Sequence, residues 1–245
     1  MTSIQPTIRA ATASDADAVS TILAEAFLYS PVGDWLIPDP DTRRHVYQDY
    51  FRIHVDHTIA HGTLDLTTNK TSVNETSVNE TSIDETSIDE ASVDETGVDG
   101  IAAALWFPRG QRPPDPDDYD ERLAAACGVW LHRFQVIDAI LNEQHPDTPH
   151  HYLAFLGVVP RWQGQGIGSG LLDHYHACLD AENLSAFLEA STERSRDLYL
   201  RHGYVLAANA PLTLPEDGPP LWPMWREPGH RPSPVRSVPN AGLAD

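Results

Sequence analysis

The chain carries a single lysine, Lys70, and its 16 basic residues stand against 36 acidic ones, for a net charge of −20. Nucleic-acid binding needs clustered Lys and Arg to neutralise phosphates, so this composition argues against a nucleic-acid partner. No apolar run approaches the length of a bilayer-crossing helix, so no membrane partner is expected. The opening MTSIQPTIRAATASD lacks the basic-then-apolar pattern of a signal peptide, which leads to the expectation of a soluble, cytoplasmic protein. Cysteine is scarce as well. Cys127 and Cys178 each fall in a helical pattern and are expected to be small buried hydrophobes in a reducing compartment. His54, His57 and His61, and separately His145, His150 and His151, come without the Cys or acidic partners of a zinc motif, so no metal is expected.

What the sequence does contain is centred on residues 151–172, HYLAFLGVVPRWQGQGIGSGLL. The segment reads as strand, glycine loop and helix. Residues 152–159 form an uncharged apolar and aromatic run, as in a strand buried on both faces. Pro160 ends it, having no N–H to give a ladder. Ile167, Leu171, Leu172, Tyr175 and Leu179 then recur at helical spacing. Glycines at the mouth of a helix let backbone N–H groups approach a ligand closely. The first N–H groups of a helix are unpaired and lie at the positive end of its dipole. The loop Gln163, Gly164, Gln165, Gly166, Ile167, Gly168 and Ser169 therefore reads as a pyrophosphate cradle. A nucleotide P-loop is excluded because no Lys-Ser/Thr follows the glycines, and the G-x-G-x-x-G spacing of a dinucleotide site is absent.

Gln163, Gly166 and Gly168 match the Q-x-x-G-x-G/A signature of the GNAT N-acetyltransferases. Leu156, Gly157, Val158 and Pro160 resemble that family's preceding strand, and residues 198–204, LYLRHGY, resemble its LY-x-x-x-GF segment. The closing region looks most like the branch that includes puromycin N-acetyltransferase. The resemblance implies an α/β (α+β) fold with a GNAT-type mixed, mostly antiparallel sheet flanked by helices. It implies acetyl-CoA as cosubstrate and direct transfer of its acetyl group to a primary amine of a small molecule. It further implies that the Leu156 N–H polarises the thioester carbonyl, that Val158 pairs with the pantetheine arm, and that the N–H groups of 163–169 hold the pyrophosphate. Tyr199 matches the family's tyrosine that donates to the CoA thiolate, and Glu189, at the end of its strand, is the best-placed carboxylate for a base. Ser195 stands where relatives often carry an asparagine that contacts CoA. A non-catalytic acyl-CoA sensor and a protein or peptide N-terminal acetyltransferase remain alternatives.

The remaining chain is expected to complete one domain over 1–227. A strand at 7–11 precedes a helix capped by Thr12 and Asp15, with Val19, Ile22, Leu23, Ala26 and Phe27 on one face. A loop at 29–40 follows, with Phe27, Tyr29 and Trp35 as candidates for the acceptor pocket, and then a helix over 41–59. Strands at 63–67 and 101–107 bracket six pentapeptides, TSVNE, TSVNE, TSIDE, TSIDE, ASVDE and TGVDG. One aliphatic residue in five cannot offset the entropy of ordering, so 71–100 is expected to be a disordered insert. Residues 110–119 read as a linker, and 121–144 as one helix whose exposed part is compatible with a homodimer. After the central helix come a strand at 186–190, a helix capped by Ser191 or Thr192 and closed by Gly203, and a hairpin of 204–208 with 221–226. Pro223 within the last strand implies an edge or a bulge. The tail 228–245 is expected to be disordered.

Overall fold

The computed structural model describes residues 6–69, 100–108, 116 and 118–229. The expected disorder of 71–99 and of 230–245 lies outside the described residues, as does most of the expected linker, while Gly100 opens a strand. The sheet is built from β1 (Pro6–Ala10), β2 (Thr63–Asn69), β3 (Gly100–Pro108), β4 (His151–Val158), β5 (Ala186–Ala190), β6 (Val205–Leu206), β7 (Leu212–Thr213) and β8 (Pro220–Arg226). Its order is β1-β2-β3-β4-β5-β8-β6, with β7 on β8. Every adjacent pair is antiparallel except β4 and β5.

The helices are α1 (Ala16–Phe27), α2 (Pro31–Leu36), α3 (Pro40–His61), α4 (Tyr119–Cys127), α5 (Leu131–Gln144), α6 (Ile167–Glu182) and α7 (Glu193–Arg201). They cover both faces of the sheet because β3 is buried from Gly100 to Phe107 and sends alternate side chains to opposite layers. Ala103 and Leu105 join the core of α1 and α3, while Ala102, Ala104 and Trp106 join that of α6. On α6, the expected stripe of Ile167, Leu171, Leu172, Tyr175 and Leu179 is buried. Each such side chain contributes about 1.5–3 kcal/mol when removed from water.

Three local expectations change. The loop expected at 29–40 contains α2, because Ser30 accepts from the Gly33 N–H (3.0 Å) and Pro31 presets the first turn. The buried Arg43 secures it: its Nε donates to the Ile37 carbonyl (2.8 Å), its Nη1 to the Leu28 carbonyl, and its Nη2 pairs with Asp34 (2.7 Å). The helix expected over 121–144 is two, since Gly128 takes φ +51° and breaks it between α4 and α5. That break turns Val129 outward to 93% exposure. Cys127 is buried as expected, but Cys178 is exposed.

At Pro223 the proline rule holds in modified form. β8 is flanked by β5 and β6, yet β6 pairs only as far as Met224. The Pro223 carbonyl accepts from Ala207 N (2.9 Å), so its missing N–H faces the side where the β6 ladder has ended. The expected caps form: Thr12 N donates to Asp15 (2.8 Å), and Ser195 N donates to the Thr192 hydroxyl (3.0 Å). Gly203, at φ +87°, follows α7.

Candidate acetyl-transfer site

β4 and β5 start side by side and then part. Only His151↔Ala186 and Tyr152↔Phe187 are paired. Beyond Tyr152 the edge of β4 that faces β5 is open, and the gap widens into a cleft of about 1210 Å³. The direction of each peptide along that edge follows from strand alternation. Val159 N donates to Ile101 O (3.0 Å) on the β3 side, so the peptide groups of Leu156 and Val158 point the other way, into the gap. The Val158 carbonyl is met there by Gln163 Nε2 (2.9 Å). Leu156, Gly157 and Val158 all line the cleft. Gly157 has a second duty: a Cβ there would come within 2.9 Å of Leu23, so its lack of a side chain lets α1 seat on β4.

At the far end of β4, residues 163–166 turn into α6. Gly164 and Gly166 have φ of +79° and +82°, conformations that side chains with a Cβ rarely adopt. Gly166 is the N-cap residue, so the turn aims the unpaired N–H groups of α6 at the cleft. Gln163, Gly164, Gly166, Ile167, Gly168 and Ser169 line it. Gln165 does not; its side chain is turned to the Arg161 carbonyl (3.2 Å). One cradle residue had no sequence signal. Arg194 of α7 lines the cleft, and its Nη1 donates to Gln163 Oε1 (3.5 Å) beside Gly164. Ser195 is occupied in capping α7, with Thr192 N donating to its hydroxyl (3.1 Å).

Tyr199 and Glu189 both line the cleft. Tyr199 is the buried residue of α7, and burial pushes its phenol well above the ordinary tyrosine range. It therefore stays protonated and able to donate. Glu189 sits near the end of β5 and accepts from the Tyr152 hydroxyl (2.9 Å). That hydrogen bond fixes the carboxylate across the gap from β4.

The opposite arm of the cleft is aromatic. Phe27 and Tyr29 line it, but Trp35 does not. Trp35 Nε1 donates to the Pro215 carbonyl (3.0 Å), and the Arg133 guanidinium lies 5.6 Å from its ring, so Trp35 ties α2 to the 214–219 loop. The wall comes instead from Tyr50 and His54 of α3, Tyr119 of α4, Asp138 of α5 and Phe155 of β4. Apart from Tyr50 and His54, one turn apart on α3, these positions are distant in sequence, and no motif links them. Among the described residues no group of three or more His, Cys, Asp or Glu side chains is placed to hold a metal ion, and no helix is long and apolar enough to cross a membrane.

The profile of the Acetyltransferase (GNAT) domain family matches residues 125–206, from within α4 to β6. Among solved structures, the chain is similar to a Corynebacterium glutamicum protein described as a histone acetyltransferase and related acetyltransferase. The two are 24% identical with a TM-score of 0.61, over 93% of this chain and 99% of that one. A mosquito arylalkylamine N-acetyltransferase-like protein (TM-score 0.53, 12% identity, 91% and 100% coverage) has the same fold. So does arylalkylamine N-acetyltransferase 2 of Aedes aegypti (TM-score 0.52, 10% identity, 91% and 99% coverage). The matched profile spans the strand, glycine turn and helix that open the cleft, and these structures share the sheet that carries them: residues 125–206 match the GNAT acetyltransferase domain, and the chain has the fold of those acetyltransferases.

Proposed function

We propose that the protein transfers an acetyl group from acetyl-CoA to the primary amine of a small molecule, without a covalent acyl-enzyme. The observation that carries this reading is the parting of β4 from β5 beside the Gly164–Gly166 turn. An open strand edge and a helix N-terminus then face one cleft, as a slim chain ending in a pyrophosphate requires. Acetyl-CoA, when bound, supplies an acetyl thioester. The chain's own groups would act around it. The N–H groups of Gly164 and of 166–169 and the Arg194 guanidinium would hold the pyrophosphate, and the Val158 peptide would pair with the arm. The Leu156 N–H, fixed by the β3–β4 ladder, polarises the acyl carbonyl without reorganising.

Glu189 accepts the proton that the amine must lose, either directly or through water. Tyr199 hydrogen-bonds the departing sulfur. Because its phenol is held far above a thiol's range of about 8.5, it stabilises the thiolate as a donor and is not the net proton source. The proton released by the amine balances the step. Charge is divided to match: Arg194 stands at the cradle, whereas Asp120, Asp138 and Glu189 lie on walls that an amine would meet. The narrow aromatic wall favours a small molecule over a peptide, and an intact Tyr199 favours turnover over sensing.

The test is acetyl-CoA-dependent thiol release with Tyr199→Phe beside the parent. The variant is expected to lose roughly 10²-fold in kcat while acetyl-CoA raises its melting temperature as before. An unchanged kcat removes Tyr199 from the chemistry. No turnover with any amine, in a parent still stabilised by acetyl-CoA, favours the sensor.

A further inference from the structure

His54 lies among three rings at the inner end of the acceptor arm. Their centroids are 4.8 Å (Tyr50), 5.0 Å (Phe155) and 6.0 Å (Tyr119) away. Its Nε2 is buried and has no hydrogen-bond partner. Burial in this apolar surround holds the imidazole neutral, with its pKa down at about 3. A buried polar atom left without a partner costs about 1–3 kcal/mol, and the residue that carries this one lines the cleft, so a small turn of the ring would let a partner from outside the chain satisfy it. One ring further on, Tyr119 donates to Asp138 Oδ2 (2.7 Å). Burial raises the Asp138 carboxyl, and no cation among the described residues offsets it.

The order of these groups has a direction. Phe155 adjoins Leu156, whose N–H faces the reacting carbonyl in the reading above. His54 lies against Phe155, Tyr119 against His54, and Asp138 against Tyr119. A ligand with its amine at Leu156 would lay its body along this row of packed rings, where a flat apolar body could add a further aromatic contact. Its far end would then meet the His54 nitrogen and a buried carboxyl group whose described partner is the Tyr119 hydroxyl. Resting on the acetyltransferase reading, we propose that the acceptor is a primary amine on an aromatic or similarly flat apolar body, with a hydrogen-bonding group such as a hydroxyl or ring N–H at its far end, which His54 and Asp138 read. A polyamine or an aminosugar would bring several polar groups to this wall, where most would lose water without gaining partners.

The experiment measures kcat/KM by thiol release, with the full chain, acetyl-CoA and 2-phenylethylamine, tyramine, tryptamine, spermidine, kanamycin or a short peptide. The aryl amines should lead. Tyramine should exceed 2-phenylethylamine about tenfold, because a site that expects a hydrogen bond discriminates against a ligand lacking it. His54→Leu should bring that ratio close to one, and His54→Asn should keep part of it. The melting shift given by acetyl-CoA, unchanged in both variants, reports an intact fold and cradle. Should His54→Leu fail to fold, Asp138→Asn is read in the same way and should also shrink the ratio. A lead by spermidine, kanamycin or the peptide overturns the proposal, as does a ratio near one in the parent or an unaltered ratio in the variants. So does a parent that neither turns over the aryl amines nor binds them calorimetrically when loaded with acetyl-CoA. Loss of the acetyl-CoA shift in the parent would instead take away the acetyl-transfer reading itself.

Discussion

On the cradle arm, what faces the cleft is mostly backbone: the peptide groups of Leu156 and Val158 and the turn at Gly164 and Gly166, with Arg194 beside them. On the acceptor arm it is side chains: Phe27, Tyr50, His54, Tyr119, Asp138 and Phe155. On the acetyl-transfer reading proposed above, the difference follows from what each arm would recognise. A pyrophosphate on a slim thioester arm is one shape, and N–H groups fixed by a sheet and a helix read it with little need for side chains. An acceptor varies in shape and charge, and only side chains can encode that. The backbone arm is correspondingly intolerant at its glycines, whereas the side-chain arm is open to exchange.

The largest expected effect breaks the backbone arm. A Cβ on Gly166 would meet nothing within 4 Å, so Gly166→Val introduces no clash in the chain itself. Its cost is conformational, since φ is +82° and β-branched residues avoid that region at about 1–3 kcal/mol. The turn should shift to relieve the strain and take the N–H groups out of alignment. Differential scanning should show a folded protein that acetyl-CoA no longer stabilises; a retained shift would refute the cradle.

A smaller effect is expected at Arg194. The side chain is exposed, so its charge is screened and a truncation should raise the KM for acetyl-CoA only about five- to tenfold, with kcat little changed. The penalty should shrink as salt is added. Equal KM values for Arg194→Ala and the parent at low ionic strength would show that the backbone needs no such help.

The third effect sharpens the contrast through pH. His54 on the acceptor arm and His176, on the buried face of α6 and hydrogen-bonded to the Tyr204 hydroxyl (3.1 Å), are both held at about 3 by burial. In the unfolded chain these rings take up a proton below about 6.5. The unfolded state then binds more protons than the folded one, so stability rises with pH across that window. This contribution is complete above about 6.5 and declines as pH falls toward 3. Melting temperatures at pH 7 and pH 4.5 should differ by several degrees, and His54→Leu should narrow the gap. A gap of the same size in the variant would assign the acid sensitivity elsewhere.

The same contrast explains what could be read from the sequence. The strand, turn and helix around Gly166 are local, so 151–172 displayed them directly, and the caps at Thr12 and Thr192 and the stop at Gly203 were equally visible. Arg194 was not, because it reaches Gly164 only after α7 folds back across the cleft. The acceptor wall was harder still. Tyr50, Tyr119, Asp138 and Phe155 come from four separate elements, and each looks like an ordinary core or surface residue in its own segment. Trp35 was misassigned for a related reason: an aromatic in the right loop says nothing about where its ring turns, and here the Pro215 carbonyl decides it. The break at Gly128 was missed because the apolar spacing runs across it unbroken, and only the positive φ ends the helix.

An open strand edge is usually a hazard, since any extended segment of another chain can add to it. Here the unpaired stretch of β4 lies in the interior of the sheet, at the bottom of a wedge between two strands that are still joined at His151 and Tyr152. A neighbouring protein's edge strand cannot be threaded into so confined a place, yet a flexible, narrow ligand can. The sheet therefore keeps an open edge that its own geometry protects from aggregation, and on the reading proposed above a bound arm would complete the ladder.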